Sequence, residues 1–203
     1  MEKIVSKKFK EWTEGASASG AVKRIFREIR DIPYAVVPEL FSLKKGPAGM
    51  LSLNKGFCVP KHYLMGMMYE KLGVDVTYCT FEFYWKDMDV DYPPGLRKLT
   101  EGLPATYHLA CGVMAGGRRV LADATWDVSL KKAGFPVNVK WDGKSDTACA
   151  VKPLGKFVHE DADERDRVFE KKMADYSLAE KLMLYRFSRE LNVWLEDLRR
   201  SGK

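Results

Sequence analysis

The sequence predicts an α+β fold on two observations. Apolar residues recur at helical spacing towards both ends of the chain, and between them lie a β-branched and aromatic run and a hairpin pattern around a glycine pair. A length of 203 residues, with 46% hydrophobic and 31% charged composition, suits one globular domain able to bury a substantial core. Residues 1–203 are therefore expected to form a single domain, with its core at about 22–155 and a C-terminal helical segment at about 160–200.

The first helix is expected over 19–32, where Val22, Ile25, Phe26 and Ile29 share one face and Pro33 disfavours helix at Ile32. Between Tyr34 and Phe57, the residues Pro38, Gly46, Pro47, Gly49 and Gly56 predict an irregular connector. A second helix is expected to open near Cys58, with Pro60 in its first turn, an apolar stripe of Leu64, Met65, Met68 and Leu72, and Gly73 as its stop. Residues 74–84 read as a strand, followed by a proline-containing loop from Lys86 to Pro104 that is expected to cover something.

The runs 107–113 and 118–124, joined through Ala115-Gly116-Gly117, read as a hairpin. Folding back at the glycines makes His108 and Asp123 neighbours. After a Gly/Asp/Lys-rich stretch at 142–146, helix returns from about 161. Ser177 and Glu180 there form a capping box, ahead of a face made by Leu178, Leu182, Tyr185, Leu191, Trp194, Leu195 and Leu198. No internal repeat or low-complexity segment calls for a second domain.

Composition excludes several classes. No run of 18 apolar residues marks a membrane span, and Met1-Glu2-Lys3-Ile4 lacks the basic-then-apolar opening of a signal peptide, so a soluble, cytoplasmic protein is expected. Four cysteines (Cys58, Cys79, Cys111 and Cys149) without paired spacing read as free thiols rather than a disulfide framework. The net charge of +6 comes with interspersed acidic residues and no dense basic run, so no nucleic-acid partner is expected. Lys44-Lys45 and Lys131-Lys132 read as solvated surface, and the Met65, Met67 and Met68 cluster as core filling.

Cys58 carries the expected chemistry. A thiol becomes a strong nucleophile as its thiolate, which a helix N-terminus and a nearby imidazolium both favour. A histidine can hold the thiol proton and return it to a leaving group when a carboxylate fixes its tautomer. His108 suits the base and Asp123 the orienting group. His62, four residues beyond Cys58, is the rival base, poorly placed to share a substrate carbonyl. Cys79 and Cys111 read as core, and Cys149 as a thiol without a visible base.

These residues resemble the transglutaminase-like superfamily, whose core reads as Gly-x-Cys opening a helix, then a strand histidine, then a strand aspartate often followed by Thr-Trp. Gly56-Phe57-Cys58, His108 and Asp123-Ala124-Thr125-Trp126 follow that order, and the resemblance runs from about Val22 to Trp126, including Asp31-Ile32-Pro33-Tyr34 and Leu72-Gly73-Val74. It implies a cysteine proteinase-like fold in which the cysteine helix packs on an antiparallel sheet. It also implies catalysis on amide-type carbonyls through a thioester, by a cysteine protease, amidase or acyltransferase. Leu109 stands where many members have Ala-Trp, and the length leaves no room for the calcium-binding and barrel domains of animal transglutaminases.

The expected function is a cysteine-dependent hydrolase or acyl/amine transferase with a Cys58–His108–Asp123 triad. It needs no cofactor or metal and acts on a peptide, protein or small amide. The Cys58 backbone N–H and the Asn54 side chain are the candidate oxyanion donors, and Tyr84, Trp85, Tyr92 and Trp126 are candidate cleft residues. An arylamine N-acetyltransferase-like acyl transferase fits less well, because Asn54-Lys55 replaces the arginine-glycine pair before that family's cysteine. A different class, a catalytically silent or metal-binding module, would use Cys58, His62, His108 and Cys111, though no CxxC pair or HExxH helix supports zinc.

Overall fold

The chain is mixed helix and antiparallel sheet. The computed structural model describes residues 2–201. In chain order the elements are α1 (Glu2–Thr13), α2 (Ala18–Asp31), α3 (Gly46–Leu53), α4 (Cys58–Lys71), β1 (Val76–Phe83), α5 (Pro94–Thr100), β2 (Thr106–Ala115), β3 (Arg118–Ala122), β4 (Gly155–His159), α6 (Ala162–Ala174) and α7 (Leu178–Arg200). The strands form one sheet in the order β3-β2-β1-β4, antiparallel throughout. Among the described residues, no helix is long and apolar enough to cross a membrane.

Helix α4 is the centre of the fold. Almost every residue from Cys58 to Tyr69 is buried, because α4 packs on β2 and β1 while α2 and α3 pack on it in turn. A helix enclosed this way needs apolar or satisfied groups all round rather than one apolar stripe. Gly66 permits the close approach to β1: a Cβ there would sit 2.1 Å from the Tyr78 hydroxyl. Between β2 and β3, Gly116 and Gly117 both take positive φ (58° and 82°), the conformation of a tight two-residue hairpin turn. That turn sets the register Cys111↔Ala122 and so leaves Asp123 just beyond β3.

The expected connector between Tyr34 and Phe57 is not irregular throughout, because α3 forms within it. Pro47 sits in the first turn, where its missing N–H costs nothing, and Ala48 and Met50 are buried. The segment after β1 also contains α5, opened by Pro93-Pro94. The edge strand β4, at Gly155–His159, pairs with β1 although its sequence carries no clear alternation. The capping box at Ser177 and Glu180 forms as expected and starts α7.

Helix α7 reaches back to the start of the core. Asn192 exchanges two 2.8 Å hydrogen bonds with the Val36 backbone, and Arg199 donates to Tyr34 O (2.9 Å) and Asp127 Oδ2 (2.6 Å). The Tyr34 segment in turn forms a short parallel bridge with Gly56, through Ala35 N–H to Gly56 O (2.8 Å) and Gly56 N–H to Pro33 O (3.0 Å). The chain entering α4 is thereby held on both sides.

Two polar side chains inside α4 have structural duties. Lys61, fully buried, donates to Arg30 O (2.9 Å) at the end of α2 and to Thr125 O (2.8 Å) beyond β3. His62 accepts from Ala124 N–H through Nε2 (3.0 Å), so its Nδ1 carries the hydrogen and donates to Cys58 O (2.8 Å). Burial pulls Lys61 down to about 7, against the nearby Asp127, Asp31 and Asp123 charges, and pulls His62 down to about 4 against the Asp123 charge.

Removing the Lys61 amine strands two carbonyls, so Lys61→Met should cost about 1–3 kcal/mol for each. Unfolded Lys61 keeps its proton to about 10.5 while the folded residue releases it near 7. The wild type should therefore gain stability relative to Lys61→Met as pH rises from 7 towards 10. Denaturation curves across that range check the sign, and a constant difference would refute it. For His62, unfolded 6.5 against folded about 4 means that stability is complete above pH 6.5 and is lost as pH falls towards 4. The loss is on the order of 3 kcal/mol. Urea denaturation at pH 7 and 4.5 should show a smaller acid loss in His62→Gln than in the wild type.

Candidate active site

Cys58 is the first residue of α4, and its N-cap is Phe57, which offers no side-chain oxygen to the first-turn amides. Those amides lack intrahelical acceptors, so the helix presents N–H groups and the positive end of its dipole beside the cysteine. His108 sits in β2 opposite Phe81 of β1, whose ring lies 6.0 Å from it at 23°. Asp123 follows the last residue of β3. Three segments far apart in sequence thus meet at one end of the sheet.

Every lone-pair direction of the Asp123 carboxylate is used. Oδ2 accepts from His108 Nε2 (2.7 Å) and Ala150 N–H (2.7 Å), and Oδ1 accepts from Thr125 Oγ1 (2.6 Å) and Thr125 N–H (3.2 Å). Because an ionised carboxylate only accepts, His108 Nε2 carries a hydrogen and Nδ1 is left for Cys58. Burial opposes charge on both partners, but their mutual attraction outweighs it. Asp123 is held below the usual carboxylate range, and His108 is raised well above its ordinary value by Asp123, with neighbouring Cys58 adding to the shift. The ring is therefore disposed to hold a proton.

His62 cannot serve as the base. Both of its ring nitrogens are engaged with backbone groups and burial keeps it neutral. Cys79 and Cys111 are buried, with thiols pushed up by desolvation, and Cys111 Sγ donates to His62 O (3.3 Å).

Cys149 corrects the sequence reading, which gave it no partner. One donor atom each from His108, Asp123 and Cys149 lie within 4.8 Å of one another, because Ala150 N–H is anchored on Asp123 and brings its neighbour along. Burial raises this thiol, and the His108 charge partly offsets the shift. Among the described residues His108, Asp123 and Cys149 form the convergent donor group; the four residues of the alternative metal-binding reading, Cys58, His62, His108 and Cys111, do not form one.

A cavity of about 290 Å³ opens beside Cys58 and His108. Trp85 and Trp126 line it as expected. Tyr84 does not: strand alternation turns Phe83 into the cavity and Tyr84 away, where Lys86 Nζ lies 5.2 Å from its ring. Tyr92 is buried against Trp194 outside the lining. Asn54 is no oxyanion donor, since it caps α3 in the left-handed conformation (φ 48°), exposed and outside the cavity. Tyr34 lines the cavity instead, with its hydroxyl kept protonated by burial and the neighbouring Cys58 and Tyr92. Phe169, Met173 and Tyr176, from α6 and the turn after it, also line it, and no local signal marks those residues as site residues.

No protein-family model matches this chain, and no curated protein matches it. Among solved structures it is similar to a TGase, at 10% identity and a TM-score of 0.44, with 64% of this chain and 32% of that chain covered. It is also similar to a protein from Cytophaga hutchinsonii provisionally described as a cysteine protease, at 14% identity and a TM-score of 0.43, with 78% of this chain and 50% of that chain covered. The chain thus spans between about a third and a half of the length of these two proteins.

Proposed function

We propose that the protein is a cysteine-dependent hydrolase or acyl transferase of transglutaminase-like type, acting on an amide-type carbonyl through a Cys58 thioester. The observation that carries this reading is the buried His108–Asp123 pair, whose ring has its second nitrogen free for Cys58 at the wall of a cavity. Cys58 transfers its proton to His108 Nδ1, and the sulfur attacks the carbonyl carbon while the π electrons move to oxygen. The oxyanion meets the Cys58 N–H at the uncapped start of α4. Collapse breaks the carbon–nitrogen bond as His108 returns the proton to the leaving amine, leaving the thioester. Water or a second amine then attacks, His108 takes its proton, and the thiol is restored.

Asp123 fixes the tautomer and stabilises the imidazolium. In Asp123→Asn, one accepting oxygen replaces two where four donors converge, and the charge that stabilises the imidazolium is lost, so turnover should fall by on the order of 10⁴-fold. Cys58→Ala and His108→Ala should abolish thioester formation while circular dichroism and melting show a folded chain. Acyl-enzyme captured by intact-mass analysis in Cys58→Ala would end the proposal.

A second reading rests on the convergence of His108, Asp123 and Cys149. In it the pair and the thiol bind a metal such as zinc and the centre is silent. Cys149 is absent from the cavity lining, which favours Cys58 as the nucleophile. Elemental analysis with zinc titration separates the two: the enzyme reading expects no stoichiometric metal and an active Cys149→Ala, whereas stoichiometric zinc lost in Cys149→Ala would favour the silent centre.

A further inference from the structure

The cavity beside Cys58 is walled chiefly by apolar faces, and several of its polar side chains are committed elsewhere. Trp126 Nε1 donates to Ala150 O (2.9 Å), Tyr176 Oη to Ala105 O (2.6 Å), and Thr125 Oγ1 to Asp123 (2.6 Å). What remains are the faces of Phe41, Phe57, Phe83, Trp85, Trp126 and Phe169, supplied by the connector, the N-cap of α4, the end of β1, the segments after β1 and β3, and α6. The one lysine of the lining, Lys181, lies in the exposed first turn of α7 and donates to Ala174 O (3.2 Å). Thr106 Oγ1 is buried in the lining without a hydrogen-bond partner, and hydroxyl-bearing Tyr34, Tyr107, Tyr185 and Ser188 also line it.

Size sharpens the point. An apolar cavity of about 150 Å³ suffices for benzene, so about 290 Å³ admits one aromatic ring with a short linker to the reacting carbonyl. A carboxylate or amide side chain entering this space would lose its hydration against walls that are mostly aromatic and aliphatic. An aromatic or long aliphatic group would gain from burial and from ring contacts with edge and face geometry.

We propose that the substrate of this site presents a bulky apolar group, preferentially aromatic, next to the carbonyl that Cys58 attacks. This rests on the Cys58 reading above. The helices α6 and α7 supply the side of the pocket that selects it, through Phe169 and Leu184.

The test acylates the full-length protein with p-nitrophenyl esters of acetic, hexanoic, 3-phenylpropanoic and succinic acids. Release of p-nitrophenolate and the mass added at Cys58 are both followed, and each rate is divided by that of the same ester with a free thiol. The 3-phenylpropanoyl ester should acylate Cys58 about 10- to 100-fold faster than acetyl on this scale, with hexanoyl between them and succinyl slowest. In Leu184→Asp, checked for a native melting transition, the ratio of 3-phenylpropanoyl to acetyl should fall towards unity. Acylation of Cys58 at similar normalised rates by all four esters, or fastest by acetyl or succinyl, overturns the substrate class and leaves the nucleophile standing. A ratio unchanged in Leu184→Asp removes the helix pair as the selecting wall. No acylation of Cys58 by any ester overturns the Cys58 reading itself.

Discussion

A buried, fully hydrogen-bonded carboxylate organises this protein. Taking the Asp123 charge out of water is costly, and it is tolerable only where every oxygen lone pair finds a donor. Those donors come from three places: the His108 ring in β2, the Thr125 backbone and hydroxyl just past β3, and the Ala150 amide in the segment leading to β4. The same carboxylate thus fixes a histidine tautomer and pins the long chain between β3 and β4 onto the sheet. Structure and chemistry depend on one group, and its loss would disturb both.

The neighbouring groups of α4 divide the remaining work. Lys61 and His62 bind the backbone of Thr125 and Ala124, just after Asp123, so the helix carrying Cys58 is tied directly to the turn carrying Asp123. Behind them, α7 clamps the Tyr34–Val36 segment, which bridges to Gly56 two residues before the cysteine. The N-terminus of α4 is therefore positioned from three directions yet left without a side-chain cap. Substituting a capping side chain at this position would ordinarily stabilise a helix. Leaving it as Phe57 keeps the amides open to a developing negative charge and adds an aromatic face to the cavity.

Local pattern made the elements that bear the candidate site legible in sequence, and long-range packing hid the rest. Gly73 ends α4, the Gly116-Gly117 turn sets the β2–β3 register, and the Ser177 box starts α7, all through effects confined to a few residues. By contrast, α3 is concealed by its glycines and proline, and β4 is a five-residue edge strand whose exposed Phe157 and Val158 break any alternation. Among the site residues, Cys58, His108 and Asp123 follow from motif order and hairpin geometry. Asn54 and Tyr84 lie outside the cavity because a cap conformation and the phase of a strand end decide where those side chains point. Cys149, Tyr34 and Phe169 reach the site only through tertiary contacts, for which neighbouring sequence carries no sign.

The central claim is that Cys58, and not its chemically identical neighbours, is activated by His108. The most direct measurement is the rate of iodoacetamide alkylation at Cys58, Cys79, Cys111 and Cys149, resolved by peptide mass spectrometry across the pH range, in the wild type and in His108→Ala. Cys58 should react fastest at near-neutral pH, and this advantage should disappear without the imidazole. Alkylation of Cys58 no faster than of Cys149, or a Cys58 rate indifferent to His108, would contradict the claim.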